Sequence, residues 1–166
     1  MRELEEFLTR TPFFGGLAKA SLDAVVAMLV ERRFPAGAAV FKEGEDGRSM
    51  YVVHSGELIA TQAGDSGRTV RLMRYSAGDF FGEMTLIEMQ PRPFSVLVET
   101  DAVLWELTNM NLYQLYRSDV KAYVLVLQNI NRELCRRLRR AGNRITEFAD
   151  EEGDERTQIG VPRGRP

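Results

Sequence analysis

The stretch Phe80-Phe81-Gly82-Glu83-Met84-Thr85-Leu86-Ile87-Glu88-Met89-Gln90-Pro91-Arg92-Pro93-Phe94-Ser95-Val96 decides how the rest of this chain is read. A glycine followed at once by Glu83, a short helical turn through Met84, Thr85 and Leu86, and a loop that returns Arg92 together make an anion pocket. Backbone N–H groups at the start of the turn are free to face a ligand, and an arginine adds a charge-assisted fork. Glu83 is the odd member, because a carboxylate beside a phosphate is unfavourable unless it accepts hydrogen bonds from ligand hydroxyls, for which a ribose 2′-OH is the obvious donor. An acid for a sugar and an arginine for a phosphate specify a nucleotide. In the plainer alternative, Gly82 makes a turn, Glu83 is solvated, and Arg92 pairs with Glu83 or Asp79 at the surface.

Outward from this segment the chain has the punctuation of many short strands. From Phe34 to Thr108, runs rich in Val, Tyr and Phe alternate with Pro35, Gly37, Gly44, Gly47, Gly56, Gly64, Gly67 and Gly78, as tight turns between strands require. Strands are expected at Met50–Val53, Glu57–Thr61, Thr69–Arg74, Ser95–Glu99 and Val103–Leu107. On the N-terminal side, residues 3 to 31 have helical spacing interrupted by Pro12 and Gly15-Gly16, with Ser21 placed to cap a second helix. On the C-terminal side, Asn109 or Asn111 starts a short helix, and Asp119 opens a long one whose apolar stripe runs from Val120 through Tyr123, Val124, Leu127, Ile130 and Leu134 to Leu138. The expected class is α+β: an antiparallel β-roll (a double-stranded β-helix, jelly-roll-like) over about 34–108, flanked by N-terminal helices and by C-terminal helices over about 109–146. Together 1–148 make one domain. Residues 149–166, with Asp150, Glu151, Glu152, Asp154 and Glu155 leading into Gly and Pro, read as a disordered acidic tail.

With those residues in place, the chain resembles the cyclic-nucleotide-binding domain family, which includes catabolite activator proteins and regulatory subunits of cyclic-AMP-dependent kinase. The resemblance covers residues 5 to about 145. It rests on Pro35-Ala36-Gly37 before a strand at Ala39–Phe41, Gly44-Glu45, Met50-Tyr51-Val52-Val53 leading to Ser55-Gly56-Glu57, Gly78-Asp79-Phe80-Phe81-Gly82-Glu83, and Pro91-Arg92 before Ser95-Val96. It implies that Gly82 to Ser95 is the phosphate-binding cassette. Glu83 then takes the ribose hydroxyl, Arg92 takes the cyclic phosphate, and the backbone amides of Met84 and Thr85 face the ligand. Ala60 and Leu72 line the sugar and base. The chain departs from the family at Pro93, where a small residue would donate its N–H to the phosphate; proline has none. One missing charge-assisted hydrogen bond is worth about 1.5–3 kcal/mol. Phe94 replaces a small residue and either packs inward or crowds the site. In an ungapped match, Ala141 and Gly142 occupy the positions from which activator-type relatives reach the base, and neither side chain can hydrogen-bond. An aromatic lid of the kinase type would fall to Tyr123 or Phe148, with a core role as the alternative for Tyr123.

Composition bounds the function. The 166 residues are 44% hydrophobic and 28% charged, with a formal net charge of -2, the balance of a globular chain with no global attraction to nucleic acid. No apolar run approaches a membrane span of about 20 residues, and no basic-then-apolar leader is present, so a cytoplasmic protein with no membrane association is expected. Cys135 is the single cysteine and reads as an inert thiol; His54 is the single histidine and reads as a polar group near a strand end. No paired base and nucleophile, metal cluster or Walker-type loop appears, so no enzyme activity, metal or cofactor is expected. No recognition helix follows the long helix, so DNA binding is not expected. The basic cluster Arg132, Arg136, Arg137, Arg139, Arg140 and Arg144 reads as a solvated face, or as a contact for an acidic protein or an RNA backbone. The expected function is a sensor of a cyclic mononucleotide, cyclic AMP ahead of cyclic GMP, that signals to an unidentified protein partner through its C-terminal helices and forms a homodimer through the long one. The alternative is a degenerate fold that binds no nucleotide and serves as a protein-interaction or dimer scaffold.

Overall fold

A computed structural model describes residues 2–64 and 67–152. Helices α1 (Arg2–Arg10) and α2 (Lys19–Val26), with a 3-10 turn at Pro12–Phe14 between them, precede the strands β1 (Val30–Phe34), β2 (Ala39–Phe41), β3 (Ser49–Ser55), β4 (Leu58–Ala63), β5 (Thr69–Tyr75) and β6 (Phe80–Phe81). Helix α3 (Glu83–Glu88) interrupts the strands; β7 (Ser95–Val98), β8 (Ala102–Thr108), α4 (Asn109–Ser118) and α5 (Val120–Glu152) complete the chain. Two four-stranded sheets result, ordered β1-β8-β3-β6 and β2-β7-β4-β5, and every strand pairing is antiparallel. This is the expected roll. Its interior is aromatic: Phe41, Tyr51, Tyr75, Phe81 and Phe94 share one buried cluster with Val53, Leu58, Ala60, Val96, Val98 and Leu104.

Phe13 carries the N-terminal segment into the core, edge-on to both Phe14 and Phe80. Asn129 of α5 fixes the same segment, donating to the carbonyls of Phe13 (3.0 Å) and Gly15 (2.8 Å). Buried carbonyls at such a chain reversal need donors, and the carboxamide supplies two.

Two expectations are corrected. Helix α2 ends at Val26, and Val30-Glu31 already belongs to β1. The strand is hidden in the sequence because Glu31, Arg32 and Arg33 break the apolar alternation; Arg32 instead pairs with Glu106 across to β8 at 2.7 Å. Ser21 is not a cap, since Ala18 precedes α2 and Ser21 sits inside it, donating its hydroxyl to Asp119 Oδ2 at 2.6 Å. The short helix α4 starts at Asn109, as expected, and Thr108 is its cap. Thr108 Oγ1 accepts from the Asn111 amide while Asn111 Oδ1 accepts from the Thr108 amide, a reciprocal capping box.

Asp119 does open α5, with Oδ1 accepting from the Ala122 amide at 3.0 Å. The Ser21 hydroxyl, then the Ala122 amide, hold its carboxyl below the ordinary carboxylate range. A depressed folded-state pKa contributes stability that is complete above the unfolded value and lost as pH falls through the folded one. The unfolding midpoint of the protein should therefore drop on acidification below about pH 4, where free aspartate titrates, and the gap between it and Asp119→Asn should narrow over the same window. Denaturation curves across pH test this; a gap that stays constant sinks it.

The chain divides into two compact units, residues 1–130 and 131–166. In the first, α5 buries Ala122, Val126, Asn129 and Ile130 while Val120 and Val124 stay exposed, so the apolar stripe anticipated as one is two. In the second, α5 runs to Glu152, which makes residues 149–152 helical where a tail was expected; residues 153–166 lie outside the described part. Among the described residues no helix is long and apolar enough to cross a membrane.

Candidate functional site

The cassette is built around a buried guanidinium. Gly82 adopts φ +82°, a left-handed conformation that costs an L side chain about 1–2 kcal/mol, and so ends β6 and starts α3 in a single residue. A Cβ there would also lie 2.8 Å from Arg92 Nη1 and 3.1 Å from the Ser49 carbonyl. Glu83, the first residue of α3, is 1% exposed, and Arg92 is 4% exposed. Arg92 Nη1 donates to Thr85 Oγ1 (2.9 Å) and to the Gly82 carbonyl (3.2 Å), and Nη2 donates to the Ser49 carbonyl (2.8 Å). Its guanidinium carbon sits 4.0 Å from the centroid of the Phe41 ring, a cation–π contact. The Arg92 backbone is stitched to the β2–β3 turn, its amide donating to the Glu45 carbonyl (2.8 Å) and its carbonyl accepting from Gly44 (2.9 Å).

Both members of the sequence-derived pair are thus inside the protein, and the surface ion pair offered as the plainer alternative does not form. Asp79 instead closes its own turn, accepting from the Ser76 amide and hydroxyl. No carboxylate among the described residues lies within ion-pair distance of Arg92. Burial, the largest influence, pulls the Arg92 pKa down; the electrostatic influence of Tyr51, then of Glu45, Glu106 and Glu83, opposes it. Arg92 Nε is buried with no hydrogen-bond partner. A desolvated cation held by neutral acceptors alone is incompletely compensated, which is the electrostatic condition of a site that receives an anion.

Ala60 is buried, and Leu72 and Met84 pack against the same interior cluster. Phe94 resolves its two options by packing inward, 9% exposed and 6.4 Å from Phe41 between ring centroids. Pro93 presents its carbonyl, which accepts from Gln62 Nε2 at 3.0 Å. The Ser95 hydroxyl accepts from the Glu43 amide at 2.9 Å and so ties the cassette exit to the β2–β3 loop. Two cavities lie near this cluster, one of about 350 Å³ next to Thr85 and one of about 440 Å³ at the ends of β1 and β8, and neither is lined by Glu83 or Arg92.

Sequence reasoning passed over Gly47, which it counted only as a turn. A Cβ at Gly47 would stand 2.5 Å from Arg92 Nε, 2.7 Å from Cζ and 2.8 Å from Thr85 Oγ1, so this glycine gives the guanidinium its space. The available signal was a second glycine three residues after Gly44, two residues before the strand that begins with Ser49. His54 lies in β3 with its ring edge-on to Phe7 at 4.8 Å, a packing role. Tyr123 sets its ring against Tyr116 at 5.3 Å, and Phe148 is exposed in the second unit.

The model of the cyclic nucleotide-binding domain matches residues 31–119, more than half of the chain. This chain belongs to the cyclic nucleotide-binding domain family. The Cyclic AMP receptor protein of Thermus thermophilus is 32% identical over 152 residues, covering 88% of this chain and 66% of that protein. A cAMP-dependent protein kinase regulatory subunit from Colletotrichum orbiculare is 36% identical over 100 residues, covering 60% of this chain and 25% of the subunit. Among solved structures, the Thermus thermophilus Catabolite Activator Protein matches with a TM-score of 0.73 at 30% identity, over 85% of this chain and 64% of that one. This cyclic nucleotide-binding domain therefore spans just under two thirds of its activator-type relatives and a quarter of the kinase subunit. All three relatives are named as receptor, regulatory or activator proteins and not as enzymes.

Proposed function

We propose that this domain senses a cyclic mononucleotide, cyclic AMP ahead of cyclic GMP, and passes the event to a partner protein through α4 and α5. The observation that carries the reading is Arg92: a buried guanidinium with neutral acceptors, a spare Nε donor and no ion-paired carboxylate. A cyclic phosphate brings the missing negative charge and Glu83 takes the ribose hydroxyl. The names of the relatives, one a cyclic AMP receptor and one a cAMP-dependent regulatory subunit, favour adenine. Entry of the ligand requires Phe94 and Met84 to yield space in the interior cluster, and that repacking is the link between ligand and helices, a shift between two arrangements of one core.

Calorimetric titration with cyclic AMP, cyclic GMP and 2′-deoxy cyclic AMP tests the reading. Cyclic AMP should bind, and the deoxy analogue about tenfold or more weaker, since loss of a hydrogen bond to a buried carboxylate is worth about 1.5–3 kcal/mol. A second reading, a scaffold without nucleotide, is favoured by Phe94 filling the interior and by Pro93 lacking a donor; absence of binding to all three ligands selects it.

In either case α5 supports a homodimer. Val120, Val124, Leu127, Asn131, Leu134, Leu138, Ala141, Ile145 and Phe148 recur at alternating spacings of four and three, the seam of a two-stranded coiled coil, with Asn131 as the polar seam position that favours dimers. In the second unit Leu138 is 73% and Phe148 64% exposed. Light scattering should return twice the chain mass at about 100 μM, and a Leu138→Glu variant the single mass, because a charge in a coiled-coil seam is excluded from the apolar interface. A single mass for the unaltered protein at that concentration rejects the dimer.

A further inference from the structure

The cavity of about 350 Å³ beside Thr85 carries a chemistry that nucleotide sensing does not use. Gly47 and Thr85 line it together with Asp46, Arg48, Leu86, Met89, Gln90 and Asn109. Asp46 and Arg48 bear opposite charges two residues apart, yet neither closes an ion pair or a side-chain hydrogen bond with another described residue. They flank Gly47, the residue that packs on Arg92, so the backbone between them is held in place by the cassette. At the other rim, Met89 has φ +53°, the one positive φ outside glycine among the described residues. It ends α3 as a left-handed cap, its amide donating to the Thr85 carbonyl at 3.2 Å.

We propose that this cavity binds a small zwitterion of the free α-amino acid class. A ligand with an ammonium and a carboxylate a few bonds apart meets Asp46 and Arg48 at once and leaves neither facing a like charge. An anion alone is repelled by Asp46, and a cation alone by Arg48. Leu86 and Met89 receive an aliphatic side chain, the flexible thioether adapting to its shape, and Gln90 and Asn109 offer carboxamides for a polar one. The site shares Thr85 with the cassette, while none of its charged residues belongs to the Glu83–Arg92 pair.

Titration without nucleotide, followed by amide chemical shifts, tests it directly with L-leucine, L-glutamine, leucinamide, which lacks the carboxylate, and 4-methylpentanoate, which lacks the ammonium. The expected result is saturable binding of at least one of the two amino acids in the millimolar range or tighter, with shifts at residues 46–48 and 86–90. The single-charge analogues, and the variants Asp46→Asn and Arg48→Gln, should bind about tenfold or more weaker, the effect of one lost charged contact. Both substitutions are at exposed positions, so unchanged spectra elsewhere confirm the fold. No saturation by either amino acid up to about 20 mM, a free energy near the weakest specific range, overturns the proposal. Binding that survives both substitutions, or analogues that bind as well as the amino acids, also overturns it.

Discussion

Replacing Arg92 with alanine is expected to lower the affinity for cyclic AMP by roughly a hundredfold or more, since two charge-assisted hydrogen bonds at about 1.5–3 kcal/mol each amount to at least two decades. Stability should change far less, because two opposing effects meet at this side chain. The variant loses the bonds to Gly82, Thr85 and Ser49 and the contact with the Phe41 ring, which destabilises it. It also removes a desolvated cation that has no ion-paired carboxylate, which relieves a burial penalty. Arg92→Lys retains the charge without the planar fork and should fall between. Calorimetry with a parallel thermal melt separates the two effects. An Arg92→Ala protein that is folded and binds cyclic AMP as the unaltered protein does would remove Arg92 from the site, and with it the proposed function.

Gly56→Ala should be the most damaging of the single-methyl substitutions for folding, and it touches no part of the ligand site. Gly56 turns the chain between β3 and β4 at φ +97°, and a Cβ there would lie 2.7 Å from Ala102 Cα, Ala102 Cβ and the Asp101 carbonyl. At Gly47 the obstructing atoms belong to side chains; here two of the three belong to backbone, on the turn that leads into β8. A left-handed alanine costs about 1–2 kcal/mol and overpacking about 1–3 kcal/mol, so about 3 kcal/mol in all is expected. For a chain of this size that lowers the melting temperature by roughly 6–12 °C, at about 2–4 °C per kcal/mol. Scanning calorimetry measures it, and a drop under about 2 °C would show that the β7–β8 turn moves aside at little cost. Affinity for cyclic AMP at a temperature where both proteins are folded should be unchanged.

Strand spacing, turn glycines and the capping aspartate of α5 are local properties, which is why the roll and the long helix were legible in the residues themselves. A strand alternates, a left-handed turn takes glycine, and an N-cap needs a short acceptor side chain; each condition is met within a few positions of chain. Strand β1 escaped because its charges are paired, Arg32 across the sheet with Glu106 and Arg33 with Glu31 in the strand itself, so its alternation is not apolar. Ser21 was misassigned because its partner, Asp119, lies 98 residues away, and no local rule can weigh a competitor at that distance. The same limit applied to the site. That Arg92 would be buried against the Ser49 carbonyl, 43 residues distant, over the ring of Phe41 and in the space left by Gly47 was decided only when the two sheets closed. So was the inward turn of Phe94, and so was the division of α5 into a buried face and an exposed one. Residue type determines what a side chain can bond; packing decides what it is offered, because burial strips away water and leaves only the partners that the fold has brought within reach.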